Sequence, residues 1–255
     1  MIGCIIQARM GSSRLPGKTL MKLDTNYSTL DYVINQLKHS KFIEKIIVAT
    51  TKLAQDDIIE KTLETKKIDC FRGSPEDVLD RYYECAKQFR INKIVRITAD
   101  CPLIDPILVD QVIQKFESEE CDYATNTLIR TFPIGTDVEI FSFKTLEKTW
   151  MTATLPSERE HVTPFVRKKE SKFNIINIKN DMDLSNLRWT LDRKEDLELI
   201  TKIISKINKN PILMSDILDL FSSEPELKKI NMNIDQNEGM LKSLKNDEKF
   251  RKLND

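Results

Sequence analysis

The sequence predicts an α/β protein whose centre is a doubly wound, mostly parallel sheet. Short apolar runs alternate with helical stretches through the first half of the chain, which is the order of elements in such a sheet. The later part departs from this rhythm and predicts a small mixed α/β insertion. At 255 residues, the chain is long enough for one large domain or two small ones with a substantial buried core.

The first half supplies the central strands and the helices that cover them. Strands are expected at residues 2–6, 46–49, 68–71 and 94–97, and helices at residues 28–39, 55–64, 75–89 and 106–117. Ligands of doubly wound sheets bind beyond the carboxyl ends of the strands. The loops that follow these strands are therefore where we look for function.

The second half carries the insertion, which we place at about residues 127–186. Its expected elements are an alternating strand at residues 137–141, a helix at residues 158–169 and a second alternating strand at residues 173–178. A strand at residues 187–191 and a helix with an apolar stripe at residues 195–207 then complete the fold.

This pattern divides the chain into a single domain and a tail. We assign residues 1–223 to the domain and residues 224–255 to a C-terminal extension, because the composition after Ser222 becomes highly charged. The extension is expected to be helical or partly disordered, and it is suited to packing on a partner subunit.

Charge and hydropathy exclude several classes of function. Forty basic and forty acidic side chains cancel, which argues against nucleic acid or an anionic membrane as a partner but leaves room for a local cationic pocket. No run approaches the roughly 18 apolar residues of a membrane span. The first residues also lack the pattern of a signal peptide, so we expect a cytoplasmic protein.

Cysteine and histidine are too sparse and too scattered for a zinc site or a disulfide framework. The chain has five cysteines without a C-x-x-C pair and only two histidines, so buried thiols in a reducing compartment are expected. Any metal would have to be held by oxygen ligands, which favours Mg²⁺, with Mn²⁺ as an alternative.

The loop after the first strand is suited to binding phosphate. Gly11 and Gly17 allow backbone amides to approach an anion closely, and Arg14 and Lys18 add positive charge. A Walker A motif is a disfavoured alternative, because five residues rather than four separate the two glycines and Pro16 interrupts the loop. A cationic surface turn is the alternative interpretation.

Two aspartates are expected at the carboxyl ends of distant strands. Asp100 precedes Cys-Pro at the end of one strand, and Asp192 follows the last predicted strand. Each could be a metal ligand. The alternatives are a turn aspartate that binds its own backbone at Asp100 and a capping box of Asp192 with Glu195. Asp105, which precedes a proline, is interpreted as a helix N-cap.

Together, the loop and the aspartates predict phosphate chemistry. A Mg²⁺ ion on Asp100 and Asp192 would bridge the oxygens of a nucleoside triphosphate, while Arg14 and Lys18 hold the β- and γ-phosphates. An acceptor oxygen could then attack the α-phosphorus and release pyrophosphate. We therefore name Arg14, Lys18 and Asp100 as candidate catalytic residues.

Six motifs give the chain a resemblance to a known family. They are QARMGSSRLPGK at residues 7–18, RGSPEDVLDR at 72–81, DCPLIDP at 100–106, DVEIF at 137–141, EHVTP at 160–164 and WTLDRKEDL at 189–197. With these motifs the chain resembles the CMP-sugar-synthetase-like nucleotidyltransferases, in the branch named after the spore coat protein SpsF. This branch is similar to the acylneuraminate and 3-deoxy-manno-octulosonate cytidylyltransferases. The resemblance implies a Rossmann-like fold of the nucleotide-diphospho-sugar transferase type.

The resemblance also implies a role for particular residues. The nucleotide-binding residues that it implies are Ala8, Arg9, Met10, Gly11, Ser12, Ser13, Arg14 and Lys18, with Arg72, Gly73 and Ser74 against the base. It implies that Asp100 and Asp192 hold Mg²⁺. Taken alone, Ser74 could equally be a helix N-cap, with Pro75 as the first helical residue.

The acceptor side of the site is less distinct. Asp137 and Glu139 are interpreted as carboxylates aimed at sugar hydroxyls, on one face of a strand, or as the polar face of an exposed edge strand. The resemblance places His161 near the acceptor, although a lone histidine can be purely structural. It further implies a homodimer, for which exposed apolar residues of the insertion would be suited.

The expected activity is transfer of a nucleotide from a triphosphate, with CTP as the first candidate, to an anionic sugar or sugar phosphate, in the synthesis of surface polysaccharide or glycan. One alternative is a guanylyltransferase that acts on a hexosamine phosphate. Another is a glycosyltransferase of similar architecture that uses a nucleotide sugar, although Asp100-Cys-Pro lacks the second aspartate of an Asp-x-Asp motif. A nucleotide-sensing protein without turnover is the candidate from a different class.

Overall fold

The computed structural model describes residues 1–234, 243 and 246–252. Its strands are β1 (Ile2–Gln7), β2 (Lys45–Thr51), β3 (Asp69–Gly73), β4 (Lys93–Thr98), β5 (Tyr123–Thr125), β6 (Glu139–Ser142) and β7 (Ile175–Asn177). Its α-helices are α1 (Thr29–Leu37), α2 (Asp57–Thr65), α3 (Val78–Gln88), α4 (Pro106–Ser118), α5 (Phe143–Thr152), α6 (Pro156–His161), α7 (Lys194–Lys206) and α8 (Met214–Ser223).

All seven strands form one sheet, in the order β3-β2-β1-β4-β6-β5-β7. The first four strands of the chain are parallel, β6 runs antiparallel to both of its neighbours, and β7 is again parallel to β5. The predicted doubly wound, mostly parallel sheet is confirmed. Residues 127–186 contribute β6 and β7 to this same sheet. Strand β6 lies between β4 and β5, and β7 lies at the edge beside β5.

Helices cover both faces of the sheet because successive side chains of a buried strand point to opposite sides. In β1, Cys4 and Ile6 pack into a core with α1, α2 and α4, whereas Ile5 packs into a second core with α3 and α5. A third cluster joins α7 and α8 to Trp189, which is fully buried. A polar side chain at the end of a strand therefore points towards one or the other of the two helical layers, depending on its position in the strand.

Several sequence-based boundaries are wrong. Residues 187–191 are extended but form no strand, since they make a single bridge between Ile134 and Arg188. The helix predicted at residues 158–169 ends at His161, because Val162 adopts a positive φ of 72°. The strand predicted from residue 137 begins at Glu139, so Asp137 and Glu139 do not share a strand face. The sequence prediction also missed β5, α5 and α8.

Helix caps give mixed outcomes. Asp105 is the N-cap of α4, as predicted, and accepts a hydrogen bond of 2.7 Å from Ile107 N. Ser74 is not the N-cap of α3, because that position is taken by Asp77, whose carboxylate accepts from Asp80 N at 2.9 Å. The capping box of α7 also differs from the prediction, because Asp196 supplies its carboxylate instead of Glu195.

Parts of the C-terminal extension pack on the rest of the chain. A 3₁₀ turn at Pro225–Lys229 buries Leu227 in the third cluster. Asp247 accepts hydrogen bonds from the backbone and hydroxyl of Ser157 at 2.9 and 2.6 Å. The rest of the extension, residues 235–242, 244, 245 and 253–255, lies outside the described residues. Within the described part of the chain, no helix has both the length and the apolar character needed to cross a membrane.

Candidate active site

A cavity of about 430 Å³ opens at the carboxyl ends of β1 and β4, at the edge of the sheet where the sequence predicts the site. The predicted residues on its wall are Ala8, Arg9, Ser12, Ser13, Arg14, Lys18, Asp100 and His161. Met10 and Gly11 belong to the same loop but lie outside this lining. The glycine-rich loop and the end of β4 therefore face the same space.

The conformation of the loop is set by local hydrogen bonds. Met10 N donates to Asp56 Oδ1 at 2.7 Å, and Thr19 Oγ1 donates to the carbonyl of Arg9 at 2.7 Å. Gly17 takes a left-handed φ of 74°, which most other residues adopt only at a cost. The chain can thus turn into the short helical segment that begins at Lys18 and directs this lysine to the end of β4.

Lys18 bridges the two predicted metal ligands. Its Nζ lies 2.7 Å from Oδ2 of Asp100 and 2.5 Å from Oδ1 of Asp192. Arg14 reaches the other oxygen of Asp192 at 3.1 Å. Residues from the two ends of the domain thus meet in one charged cluster beside the cavity.

Backbone contacts explain why Asp100 and Asp192 meet. The segment at residues 187–191 crosses the end of β4, where Leu191 N and Thr190 Oγ1 both donate to the carbonyl of Asp100, at 2.7 and 3.0 Å. The backbone N–H groups of Asp192 and Arg193 are bound by the Asp196 carboxylate. Asp196 therefore does the capping, and the carboxylate of Asp192 is left to bind cations.

The contact between Lys18 and Asp100 keeps both of these groups ionised. Burial by itself would raise the pKa of Asp100, but the ammonium of Lys18 and a hydrogen bond from Thr98 lower it to about 2. Burial alone would lower the pKa of Lys18, and the two carboxylates more than offset this and raise it. At neutral pH Asp100 is therefore a carboxylate and Lys18 an ammonium.

Asp100 and Asp192 are carboxylates of the kind that fits Mg²⁺, and in this structure the Lys18 ammonium lies between them. Mg²⁺ is typically held by one or two carboxylates, with water and substrate phosphates completing its shell. Among the described residues, no group of three or more histidine, cysteine, aspartate or glutamate side chains is arranged to hold a metal. Asp100 and Asp192 supply the two carboxylates, so the fit depends on a nucleotide for the remaining oxygens.

The three residues predicted to face the base lie outside the cavity lining. The Arg72 guanidinium is bound to Asp57 at 2.6 Å and to Glu60 at 2.9 Å. Ser74 Oγ accepts from Asp77 N at 3.0 Å. A Cβ on Gly73 would lie 2.9 Å from Cγ of Arg81, so this glycine makes room for the Arg81 side chain, which does line the cavity.

The predicted acceptor residues fall in three different settings. Asp137 pairs with Arg130 at 2.6 Å, outside the cavity lining. The carboxylate of Glu139 is 4% exposed and is bound by two guanidinium groups. His161 is on the cavity wall and its Nε2 lies 2.7 Å from Ser243 Oγ, while burial lowers the pKa of the imidazole.

Sequence reasoning did not assign several residues of the cavity wall. The most notable are two arginines, Arg81 on α3 and Arg96 on β4. Arg96 carries a signal that could have been used, since it is a charged residue inside the apolar run from Ile94 to Ile97. Arg81 ends the motif at residues 72–81, and the sequence left open whether it points at the site or lies on the helix surface, where arginine is ordinary. The remaining wall residues are Gln7, Thr19, Val78, Thr98, Ala99, Glu160, Ser243 and Asn246.

Comparisons with known proteins agree with this architecture. The profile of a family described as cytidylyltransferase matches residues 3–239. The spore coat polysaccharide biosynthesis protein SpsF of Bacillus subtilis is 32% identical over 230 residues, which cover 87% of this chain and 94% of that protein.

Two solved structures are similar as well. A cytidylyltransferase from Leptospira borgpetersenii has a TM-score of 0.86 at 36% identity, covering 92% of this chain and 98% of that one. A CMP:2-keto-3-deoxy-manno-octonic acid synthetase, solved with CTP, has a TM-score of 0.63 at 16% identity and covers 80% of this chain and 98% of that one. The second likeness concerns the fold alone.

The family match covers residues 3–239 and includes the glycine-rich loop, Asp100, His161 and Asp192, whereas Ser243 and Asn246 of the cavity wall lie beyond it. The resemblance inferred from the sequence motifs is confirmed by SpsF, with which most of the chain aligns. The chain belongs to the cytidylyltransferase family and is a nucleotidyltransferase.

Proposed function

We propose that this protein transfers the cytidylyl group of CTP to an anionic sugar, with Mg²⁺ as cofactor, and releases pyrophosphate. The observation that carries the proposal is the cluster in which Lys18 joins Asp100 to Asp192 beside a cationic loop. In such a cluster the ammonium of Lys18, which a phosphate group can also bind, lies next to two carboxylates that are suited to bind a metal. Mn²⁺, which accepts the same oxygen ligands, is expected to replace Mg²⁺.

The reaction is an in-line substitution at the α-phosphorus of CTP. An oxygen of the acceptor forms the new bond to phosphorus, and the bond from phosphorus to the bridging oxygen of the β-phosphate breaks. Pyrophosphate leaves with the electron pair of that bond. An attacking phosphate oxygen is already ionised, whereas a sugar hydroxyl would give its proton to water.

The chain's own residues supply positioning and charge. Arg14 and Lys18 hold the β- and γ-phosphates and stabilise the charge that develops on pyrophosphate. Asp100 and Asp192 would hold the metal, which when bound neutralises charge so that an anionic acceptor can approach an anionic triphosphate. Ser12 and Ser13 offer polar groups on the cavity wall beside them.

The relatives suggest the class of acceptor. A 3-deoxy-manno-octulosonate cytidylyltransferase of Trichlorobacter lovleyi is 32% identical over 115 residues, which cover 45% of this chain and 44% of that protein, and the name of SpsF refers to spore coat polysaccharide. We therefore propose a sugar acid or sugar phosphate that is destined for a surface polysaccharide. A cytoplasmic location and a homodimer formed through the segment at residues 127–186 complete the proposal.

Pyrophosphate release tests this function directly. The protein is incubated with Mg²⁺ and either CTP or GTP, together with 3-deoxy-manno-octulosonate, an acylneuraminate or a hexosamine phosphate. We expect release only when CTP and an acceptor are both present. Release with GTP and the hexosamine phosphate would indicate the guanylyltransferase instead. A separate incubation contains a nucleotide sugar instead of the triphosphate. Release of a nucleoside diphosphate there would contradict nucleotidyl transfer.

Replacement of Asp100 tests the metal-binding cluster. Asp100→Asn should lower kcat at least about a hundredfold, because it removes one charged contact from the transition state, while the circular dichroism spectrum stays that of the wild type. Lys18→Met is the companion variant and should either raise the KM for CTP, through weaker triphosphate binding, or lower kcat, through slower departure of pyrophosphate. Wild-type kinetics in Asp100→Asn would remove this residue from the mechanism.

A further inference from the structure

The inner wall of the cavity contains a guanidinium group whose positive charge is only partly neutralised. Arg96 lies on β4, two residues before Thr98, and lines the cavity. One of its nitrogens binds Glu139, and another donates to Gln7 Oε1 at 3.0 Å. Its third nitrogen, Nε, is buried and has no hydrogen-bond partner among the described residues.

The carboxylate of Glu139 is shared between two guanidinium groups. Arg167 NH2 donates to Glu139 Oε1 at 2.6 Å, while Arg96 binds Oε2. The hydroxyls of Tyr123 and Thr163 also donate to Oε1, at 2.5 and 2.6 Å. One negative charge is therefore set against two positive charges, and the oxygens of Glu139 are taken up by protein donors. Glu139 is a positioning residue in this arrangement, and sugar hydroxyls are not its partners.

The cavity wall as a whole carries five arginine and lysine side chains but two carboxylates. Arg81 also faces the cavity, is 2% exposed and has an unpartnered Nε. The carboxylates on the wall are Asp100, which pairs with Lys18, and Glu160, which forms no ion pair with a described residue. Buried charges without partners are costly, so this wall is suited to receive an anion.

Arg96 is well placed to bind the acceptor. Thr98 on the same strand face donates to Asp100 Oδ1 at 2.5 Å, and two residues of strand span about 7 Å. Arg14 and Lys18 mark the phosphate end of the cavity, whereas Arg96 lies two residues before Thr98 on β4, between Gln7 of β1 and Glu139 of β6. An acceptor whose reacting oxygen lies near Asp100 can therefore place an anionic group at Arg96.

We propose that Arg96, oriented by Gln7 and Glu139, binds the anionic group of the acceptor and selects acceptors that carry a carboxylate or phosphate. The inference deepens the function proposed above and rests on it. Arg167 offers a matched control, because it binds the same Glu139 carboxylate but lies outside the cavity lining.

The first test measures the NMR signal of the Arg96 side chain and does not require enzymatic turnover. In protein labelled with ¹⁵N-arginine, the Nε–H signal of Arg96 is assigned by its loss in Arg96→Lys. Replacing chloride by acetate at constant ionic strength should shift this signal saturably, both with and without CTP and Mg²⁺. The Arg167 signal should shift much less. If the chemical shift of the Arg96 signal does not change with acetate, the proposal is overturned.

The second test uses whichever sugar supports pyrophosphate release. Arg96→Gln should raise the KM for that sugar at least about tenfold, as expected from loss of a hydrogen bond to a charged group, with the KM for CTP changed less than about threefold. Arg167→Gln should leave the acceptor KM within about threefold. An equal rise in both variants would assign Arg96 a structural role. If no sugar reacts, the proposed function fails, while the acetate titration still decides whether Arg96 binds an anion.

Discussion

At the residue scale, Glu139 shows how a buried charge can serve a site that it does not touch. Burial alone would raise the pKa of its carboxyl group, but Arg96 and Arg167 lower it to about 2. Because the pKa in the folded protein lies below the ordinary 4.5, ionised Glu139 stabilises the fold fully above about pH 4.5. That contribution is lost as the pH falls towards 2.

Glu139→Gln should therefore lower the free energy of unfolding by about 3–5 kcal/mol at neutral pH, because it leaves two guanidinium groups without their counter-charge. The difference from the wild type should shrink as the pH falls from 4.5 towards 2. Urea denaturation at several pH values measures both effects. Asp137→Asn is the control, since the Asp137 pair with Arg130 is half-exposed and should contribute less than about 1 kcal/mol. Equal losses in the two variants would contradict this account.

The charged residues of the site and of its surroundings show which contacts can be predicted from the sequence and which cannot. Lys18, Asp100 and Asp192 were identified because a glycine-rich loop and the ends of apolar runs have recognisable local patterns. The partner of Glu139 has no local pattern, because the contact with Arg96 depends on pairing between β4 and β6, across 43 residues of sequence. Sequence reasoning therefore assigned Glu139 to sugar hydroxyls.

At the scale of elements, the extended segment at residues 187–191 is the part that the sequence described least well. The sequence predicted a strand here, but the segment crosses the end of β4, where it makes an isolated bridge with Ile134 and two hydrogen bonds to the carbonyl of Asp100. A periodic pattern of apolar residues indicates that side chains are buried. It does not indicate whether a neighbouring strand pairs with the segment along its whole length. The error matters, because this crossing is what brings Asp192 to Asp100.

Gly135 permits that crossing. Its φ is 104°, and an added Cβ would lie 2.6 Å from Thr190 N and 2.8 Å from the carbonyl carbon of Trp189. Gly135→Ala should lower the free energy of unfolding by at least about 1–2 kcal/mol from the positive φ alone. Because the crossing segment must also move, the KM for CTP should rise. Thermal denaturation and initial rates measure the two effects.

Gly11→Ala is the matched control for stability, because its Cβ would meet only the flexible end of Gln55. We expect this variant to unfold within about 1 kcal/mol of the wild type, as is usual for a substitution that meets no backbone. A Gly135→Ala protein as stable as Gly11→Ala would show that the segment does not depend on this glycine.

At the scale of the whole molecule, an exposed apolar patch adjoins the edge strand β7. The patch consists of Leu128 and Ile129, which are 39% and 56% exposed. The patch is held in place rather than loose, since Asn177 Oδ1 accepts from Leu128 N and Ile129 N at 2.9 and 3.1 Å. Ordered apolar surface beside an unpaired strand edge is typical of an interface, and this supports the proposed homodimer.

Light scattering on the purified protein should give about twice the chain mass of 29.7 kDa. Ile129→Glu should shift the protein to the monomer, because burying an unpaired carboxylate costs more than one apolar contact contributes. Met151→Glu is the matched control, since Met151 is 69% exposed but lies on α5, outside the patch, and it should leave the dimer intact. A monomeric wild type, or dissociation of both variants to the same extent, would exclude this patch as the contact between subunits. If dissociation also leaves the KM for CTP unchanged, each active site is complete within one chain, as the contacts among Lys18, Asp100 and Asp192 require.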